Sequence, residues 1–248
     1  MVITSTKNEL IKELRSLRTR KGRKETGLHL IEGERLVFDA VNSGIAPAHV
    51  LVSEGNEGII LRLAALNVSF TLVSESVLMS VADTENPQGI AAAVRTPDDT
   101  PPESYNGGLI VALDRLQDPG NLGTILRTAD AFGASGILLS EGCADPYSPK
   151  ALRAAMGSTY HIPVWQGDII KELERLRRSG FALVCGHLEG EEALPKLPEN
   201  RVLVIGNEAN GVSEETAGLC YLYRLPMKGR AESLNAAIAA AILIYKLA

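Results

Sequence analysis

At 248 residues, with 45% apolar and 22% charged side chains, the chain can bury one large α/β unit or two smaller ones, and it is too apolar to be disordered over most of its length. Its three cysteines, Cys143, Cys185 and Cys220, are odd in number and widely spaced, without a C-x-x-C pair or a histidine cluster, which argues against a disulfide framework and a zinc site. The formal charge of −5 hides an asymmetry: residues 1–24 carry eight Lys or Arg against two Glu, a local +6, and the rest of the chain carries 17 against 28, a net −11.

In that basic stretch Leu10, Ile11, Leu14 and Leu17 recur at helical spacing, which predicts an amphipathic helix with Lys7, Lys12, Arg15 and Arg18 outside. Such a face is either simply solvated or the end that a polyphosphate meets first. Strand and helix patterns then alternate. Leu28–Ile31, Val50–Val52, Phe70–Val73 and Ile90–Val94 read as strands, and Glu34–Asn42, Glu57–Leu66 and Ser76–Val81 as helices. This predicts a small α/β domain over residues 1–95.

Residues 96–107, dense in Pro, Asp, Ser and Gly, read as a linker. Beyond it, over residues 108–248, Leu109–Leu113, Gly136–Leu139, Phe181–Cys185, Val202–Ile205 and Leu222–Leu225 are short apolar runs of the kind produced by parallel strands buried on both faces. Leu122–Phe132, Pro149–Met156, Asp168–Arg178, Ser213–Leu219 and Glu232–Leu247 supply the helices. No apolar leader follows the opening residues, and the longest apolar region, Leu234–Tyr245, is too short and alanine-rich to span a bilayer. The expectation is a cytoplasmic protein with no membrane partner.

Three segments follow strand-like runs and so should meet at the carboxyl edge of the sheet, where open α/β folds bind ligands. In Asn121-Leu-Gly-Thr-Ile-Leu-Arg127 the residues sit near a helix opening able to hold an anion; taken alone, Asn121 reads as a helix cap and Arg127 as a surface cation paired with Asp130 or Asp114. Gly206-Asn-Glu-Ala-Asn-Gly211 is a strand-to-helix turn in which Gly206 would let a ligand approach the backbone; equally, it is a structural connection with Ser213 as N-cap and Glu208 in solvent. Ser233-Leu-Asn235 opens an apolar helix, with Ser233 either its N-cap or, with Asn235, part of a site orienting a hydroxyl. Neither G-x-G-x-x-G nor a G-K-[ST] phosphate loop occurs, so a dinucleotide cofactor and ATP hydrolysis lose support.

The ordered trio N-x-G-x-x-x-R, G-x-E-x-x-G-x-S and M-x-G-x-x-x-S-L-N resembles the SpoU (TrmH-type) branch of the SPOUT methyltransferases. Residues 1–95, with Ile31-Glu-Gly-Glu-Arg-Leu-Val and Asn86-Pro-Gln-Gly-Ile, resemble the ribosomal-protein-like RNA-binding domain carried by many members. The resemblance implies a Rossmann-like parallel sheet with a C-terminal trefoil knot, behind a small α/β RNA-binding domain. It also implies transfer of a methyl group from S-adenosyl-L-methionine to a ribose 2′-hydroxyl of RNA, without a metal, by a homodimer. By family match Gly206, Leu225, Met227 and Leu234 line the cofactor pocket, and Asn121, Arg127, Glu208, Ser233 and Asn235 occupy the polar active-site positions.

The family's proposed base matches Arg127, but a guanidinium stays protonated in proteins, so a charge-stabilising role for Arg127 is the expectation, with the proton passing to an RNA phosphate or to water. Large-subunit rRNA is the favoured substrate because of the added N-terminal domain. A tRNA substrate, or a non-catalytic RNA-binding module that kept the fold, are the alternatives. Deleting residues 1–24 is expected to weaken RNA binding and flatten its salt dependence.

Overall fold

The computed structural model describes residues 2–248. The chain divides into two units, one running up to Pro97 and including Tyr147–Arg153, the other formed by Asp98–Pro146 and Ala154–Ala248.

In the first unit the Asn8 side chain caps α1 (Glu9–Ser16) by accepting from the Leu10 N–H at 3.0 Å, and Thr19 caps α2 (Arg20–Thr26). There follow β1 (Leu28–Glu32), α3 (Glu34–Asn42), β2 (Pro47–Ser53), α4 (Glu57–Ala65), β3 (Thr71–Val73), α5 (Glu75–Val81) and β4 (Ile90–Arg95). The sheet runs β1-β4-β2-β3, antiparallel except for β2 with β3. Ala91 and Ala93 of β4 pack in one cluster with Ile11, Leu14 and Leu17 from the N-terminal segment and Val77, Leu78 and Val81 of α5. Small side chains on this central strand let the helices come close.

The basic segment follows the expected amphipathic pattern, with Lys7, Lys12, Arg15 and Arg18 exposed and Ile11, Leu14 and Leu17 fully buried. It departs from the expectation in making two helices rather than one. A Cβ on Gly22 would lie 2.2 Å from the Ser16 carbonyl oxygen, so α2 can turn back only with glycine there. Ile3 bridges to Val73 beside β3. Deleting residues 1–24 would consequently strip the core of this unit as well as its cations.

From Asp98 the elements are β5 (Leu109–Leu113), α6 (Pro119–Ala131), β6 (Gly136–Ser140), α7 (Pro149–Ala155), β7 (Val164–Gly167), α8 (Ile169–Arg178), β8 (Ala182–Glu191), β9 (Arg201–Ile205), α9 (Glu214–Ala217), β10 (Tyr221–Tyr223) and α10 (Ala236–Leu247). The sheet order is β10-β8-β9-β5-β6-β7, parallel throughout. Period-two alternation sends Val111 and Leu113 to one face, with Leu122 and Ile125 of α6 and Ala240 and Leu243 of α10. Ile110 and Ala112 go to the other, with Leu173 and Leu176 of α8. That two-sided burial explains the continuous apolar runs. The sixth strand, β7, escapes the sequence pattern because it is an edge with one neighbour, and only Val164 of its four residues is buried.

The stretch before β5 is tied down in this unit: the Tyr105 hydroxyl donates to Glu172 at 2.7 Å and its ring meets Trp165 edge-on at 5.1 Å. Among the described residues no helix is long and apolar enough to cross a membrane. The three cysteines are free.

Candidate active site

The register sets Leu113 of β5 opposite Ile205 of β9, so the loops that follow these two strands emerge side by side at one carboxyl edge. After β5, Asp118 is the cap of α6: it accepts from the Asn121 N–H at 2.8 Å, with Pro119 in the first turn. Asn121 is therefore not the cap, and its side chain is left for other partners.

After β9 the chain folds back on itself. Asn207 and Gly211 exchange both backbone hydrogen bonds at 2.9 Å, and Gly211 takes φ +67°. The Asn207 side chain accepts from the N–H groups of Ala209 and Asn210 at 2.9 and 3.1 Å and donates to the Arg115 carbonyl at 2.8 Å. Asp114, buried at the end of β5, accepts from the Ser213 N–H at 2.9 Å and from Arg115 Nε at 3.1 Å. A Cβ on Gly206 would lie 2.2 Å from the Gly211 carbonyl carbon. Glycine is thus required at 206 by the loop's own backbone, a nearer cause than the ligand approach expected from sequence. Asn207 was not singled out in the sequence, and Asp114 was named there only as a possible partner of Arg127. The available signals were an acidic residue directly following a wholly buried strand and an Asn placed to close a turn.

This loop presents Glu208 to the opening of α6, where its carboxylate accepts from the N–H groups of Gln117 and Asp118 at 3.2 and 3.1 Å and from Asn121 Nδ2 at 2.9 Å. Partial burial pushes the Glu208 carboxyl up, but these donors together with its own N–H outweigh it and hold the group below its ordinary value. The Asn121 oxygen in turn accepts from Asn235 Nδ2 at 3.1 Å. Asn235 is also the cap of α10, accepting from the Ala237 and Ile238 N–H groups at 2.9 and 3.3 Å. Ser233 is not the cap; it lies exposed in the irregular stretch before the helix.

One residue from each motif, Glu208, Asn121 and Asn235, thus forms a continuous hydrogen-bonded chain, and Arg127 and Ser233 stand outside it. Arg127 lies exposed on α6. Neither carboxylate suggested for it is its partner, because Asp114 holds Arg115 and Ser213 and Asp130 receives His161 at 2.8 Å. Leu225, Met227 and Leu234 lie on the strap between β10 and α10, Leu225 half-buried and the other two exposed. Among the described residues, no backbone N–H from Leu225 to Leu234 donates to another backbone group. Such a strap, leading directly into Asn235, has main-chain donors available for a nucleoside-type cofactor.

The molecule superposes on an AdoMet-bound rRNA methyltransferase from Sinorhizobium meliloti with a TM-score of 0.89 and 34% sequence identity, covering 100% of this chain and 97% of that one. With the parallel sheet and the three-residue chain at its carboxyl edge, this likeness defines a SPOUT-type α/β methyltransferase. More narrowly, the chain belongs to the SpoU rRNA Methylase family, which it matches over residues 108–245, and residues 8–92 match the MRM3-like substrate binding domain. It is 36% identical to the 23S rRNA (guanosine-2′-O)-methyltransferase RlmP of Bacillus subtilis, over 99% of this chain and 98% of that protein. It is 31% identical to a 23S rRNA (uridine-2′-O)-methyltransferase of Streptomyces viridochromogenes, over 93% and 85%.

Proposed function

We propose that this protein transfers the methyl group of S-adenosylmethionine to a ribose 2′-hydroxyl of large-subunit rRNA. The observation that carries the reading is the Glu208–Asn121–Asn235 chain, which joins all three motifs at the sheet edge next to the main-chain strap. Relatives matched over nearly the whole length are named as 23S rRNA 2′-O-methyltransferases, which favours rRNA over tRNA.

S-adenosylmethionine, when bound, supplies an electrophilic methyl group on a sulfonium. The protein's own contribution is to position. Glu208 fixes which way the Asn121 amide faces, and Asn121 fixes Asn235 in the same manner. Each of these amides keeps one N–H beyond the chain, available to hold a ribose oxygen in line for attack. A carboxylate held below its ordinary value by several donors is a poor proton acceptor near neutrality, so Glu208 orients rather than acts as the base. Arg127 anchors a phosphate and stabilises developing alkoxide charge, and the proton passes to that phosphate or to water. Ser233 and Asn235 flank the acceptor hydroxyl, and Gly206, Leu225, Met227 and Leu234 hold the cofactor through main-chain and apolar contact.

The active form is a homodimer joined through α10, whose Ile238, Ile242 and Tyr245 form an exposed apolar stripe at helical spacing. The path from edge strand β10 back to α10, packed on α6, is the part that would thread the knot implied by the family resemblance.

The test is calorimetry with S-adenosylmethionine, followed by mass-spectrometric mapping of ribose methylation in rRNA from cells with and without the protein. The expected result is cofactor binding and one 2′-O-methyl site lost in the deletion strain. Cofactor binding with no change in rRNA would redirect the reading to tRNA, and no binding at all would leave a non-catalytic RNA-binding module.

A further inference from the structure

The first unit carries a groove of its own, about 430 Å³ in volume and bordered by Glu34, Asp39, Asn42, Arg62 and Gln88. Its floor is a stack. The guanidinium carbon of Arg62 sits 3.7 Å over the centre of the Phe38 ring, and its edge is paired with Glu34. Phe38 is buried beneath it, whereas the Arg62 side chain is 53% exposed. The guanidinium is thus held over the ring on one side and is open to solvent on the other.

The rim is unusual in its backbone. Gln88 is held at φ +53°, a region non-glycine residues enter rarely, and Gly33 at φ +85° lies against it, where a Cβ would be 2.9 Å from Gln88 Oε1. The Gln88 side chain is thereby laid across Gly33 into the groove. The side-chain amides of Gln88 and Asn42 are exposed and hydrogen-bond to no group among the described residues. Asp39 is only loosely engaged, 3.7 Å from an Arg35 that is itself 72% exposed at the groove edge. A flat cationic platform, carboxylates and unspent amides around it, and an outer cation together suit a planar polar ring bearing a phosphate.

We propose that this groove holds one unpaired guanine of the RNA substrate, stacked on the open face of Arg62, an inference that rests on the chain being an RNA-modifying enzyme. Guanine is favoured because its Watson–Crick edge places two adjacent donors opposite a carboxylate, with a carbonyl oxygen beside them for an amide N–H; the other bases offer a single donor group on that edge. Arg35 meets the adjoining phosphate. A base inside a duplex cannot reach such a platform, so the RNA enters as a loop or single strand.

The experiment measures fluorescence polarisation of the full-length protein with labelled single-stranded UUGUU, UUAUU, UUCUU and UUUUU, alongside calorimetry with S-adenosylmethionine on the same sample. UUGUU is expected to bind at least about fivefold more tightly than the others. Arg62→Lys, which keeps the charge and loses the plane, should weaken it about tenfold. Gln88→Gly, which removes the amide and relieves the backbone, should reduce the guanine preference while leaving the melting temperature unchanged or higher. Equal affinity for the four pentamers, or a guanine preference that survives both substitutions, overturns the proposal. If Arg62→Lys melts early, Gln88→Gly alone decides. Equal affinity of the unsubstituted protein for the four pentamers with intact cofactor binding is a failure of the groove alone, and absent cofactor binding is a failure of the methyltransferase reading.

Discussion

The Asn121 side-chain amide donates to Glu208 Oε1 at 2.9 Å across 87 residues of sequence. This hydrogen bond exists because β5 and β9 are hydrogen-bonded neighbours of equal register, so the first turn of α6 and the loop after β9 have no choice but to meet.

Replacing Asn121 with Asp would set two carboxylates at that distance. Repulsion would turn both away and release Asn235. The expected outcome for Asn121→Asp is a fall in methyl transfer on the order of 10²-fold, with circular dichroism unchanged. Initial rates with radiolabelled donor check it, and a rate within a factor of about two of wild type would mean that the chain does not position the acceptor.

The state of Glu208 sets a pH signature. Its folded value lies below the ordinary one, so its contribution to stability is fully present above about pH 4.3, the unfolded glutamate value, and is lost as pH falls through the lower folded value. Urea unfolding of the wild type and Glu208→Gln across pH 3 to 7 should therefore give curves that separate at neutrality and converge on the acid side. A constant offset throughout would mean that the hydrogen bonds do not favour the ionised form.

Charge stabilisation by Arg127 predicts that Arg127→Lys keeps measurable activity and Arg127→Ala loses about 10²-fold or more. Should lysine be as inactive as alanine while RNA affinity is unchanged, the bare positive charge is not what the reaction uses.

The cations of the N-terminal helices can be tested without disturbing the buried Ile11, Leu14 and Leu17. Arg15, Arg20, Lys21 and Lys24 are exposed, and the combined change of all four to Gln should leave cofactor binding and melting intact. It should lower the slope of log affinity against log salt by about 0.7 for each RNA phosphate that is no longer neutralised. An unaltered slope would remove this face from the RNA path.

The α10 stripe offers the remaining prediction. Ile238 and Ile242 are 51% and 43% exposed, and Tyr245, 72% exposed, meets Phe132 edge-on. Ile238→Glu with Ile242→Glu should convert a dimer to monomer in light scattering while preserving helicity, since neither side chain is in the core. A wild-type protein that is already monomeric at tens of micromolar would refute the assembly.

By itself the sequence determined the alternation of strand and helix and the three motif segments, because apolar periodicity and turn residues are local properties written in consecutive positions. It also brought forward Asn121, Glu208 and Asn235 as polar residues in suspicious places. Only the tertiary structure decided what they do: Asp118 and Asn235, rather than Asn121 and Ser233, serve as the helix caps, and Gly206 is glycine for the sake of Gly211. It likewise decided that the basic segment breaks into two helices and that the Arg62 guanidinium sits over the Phe38 ring. The reason is physical. The links between motifs and the Arg62–Phe38 stack are fixed by which strands are neighbours and how loops cross at their ends, over separations of 24, 87 and 114 residues. The caps and the Gly206 turn, by contrast, are local choices among several residues that could each have served, settled by the path the backbone takes.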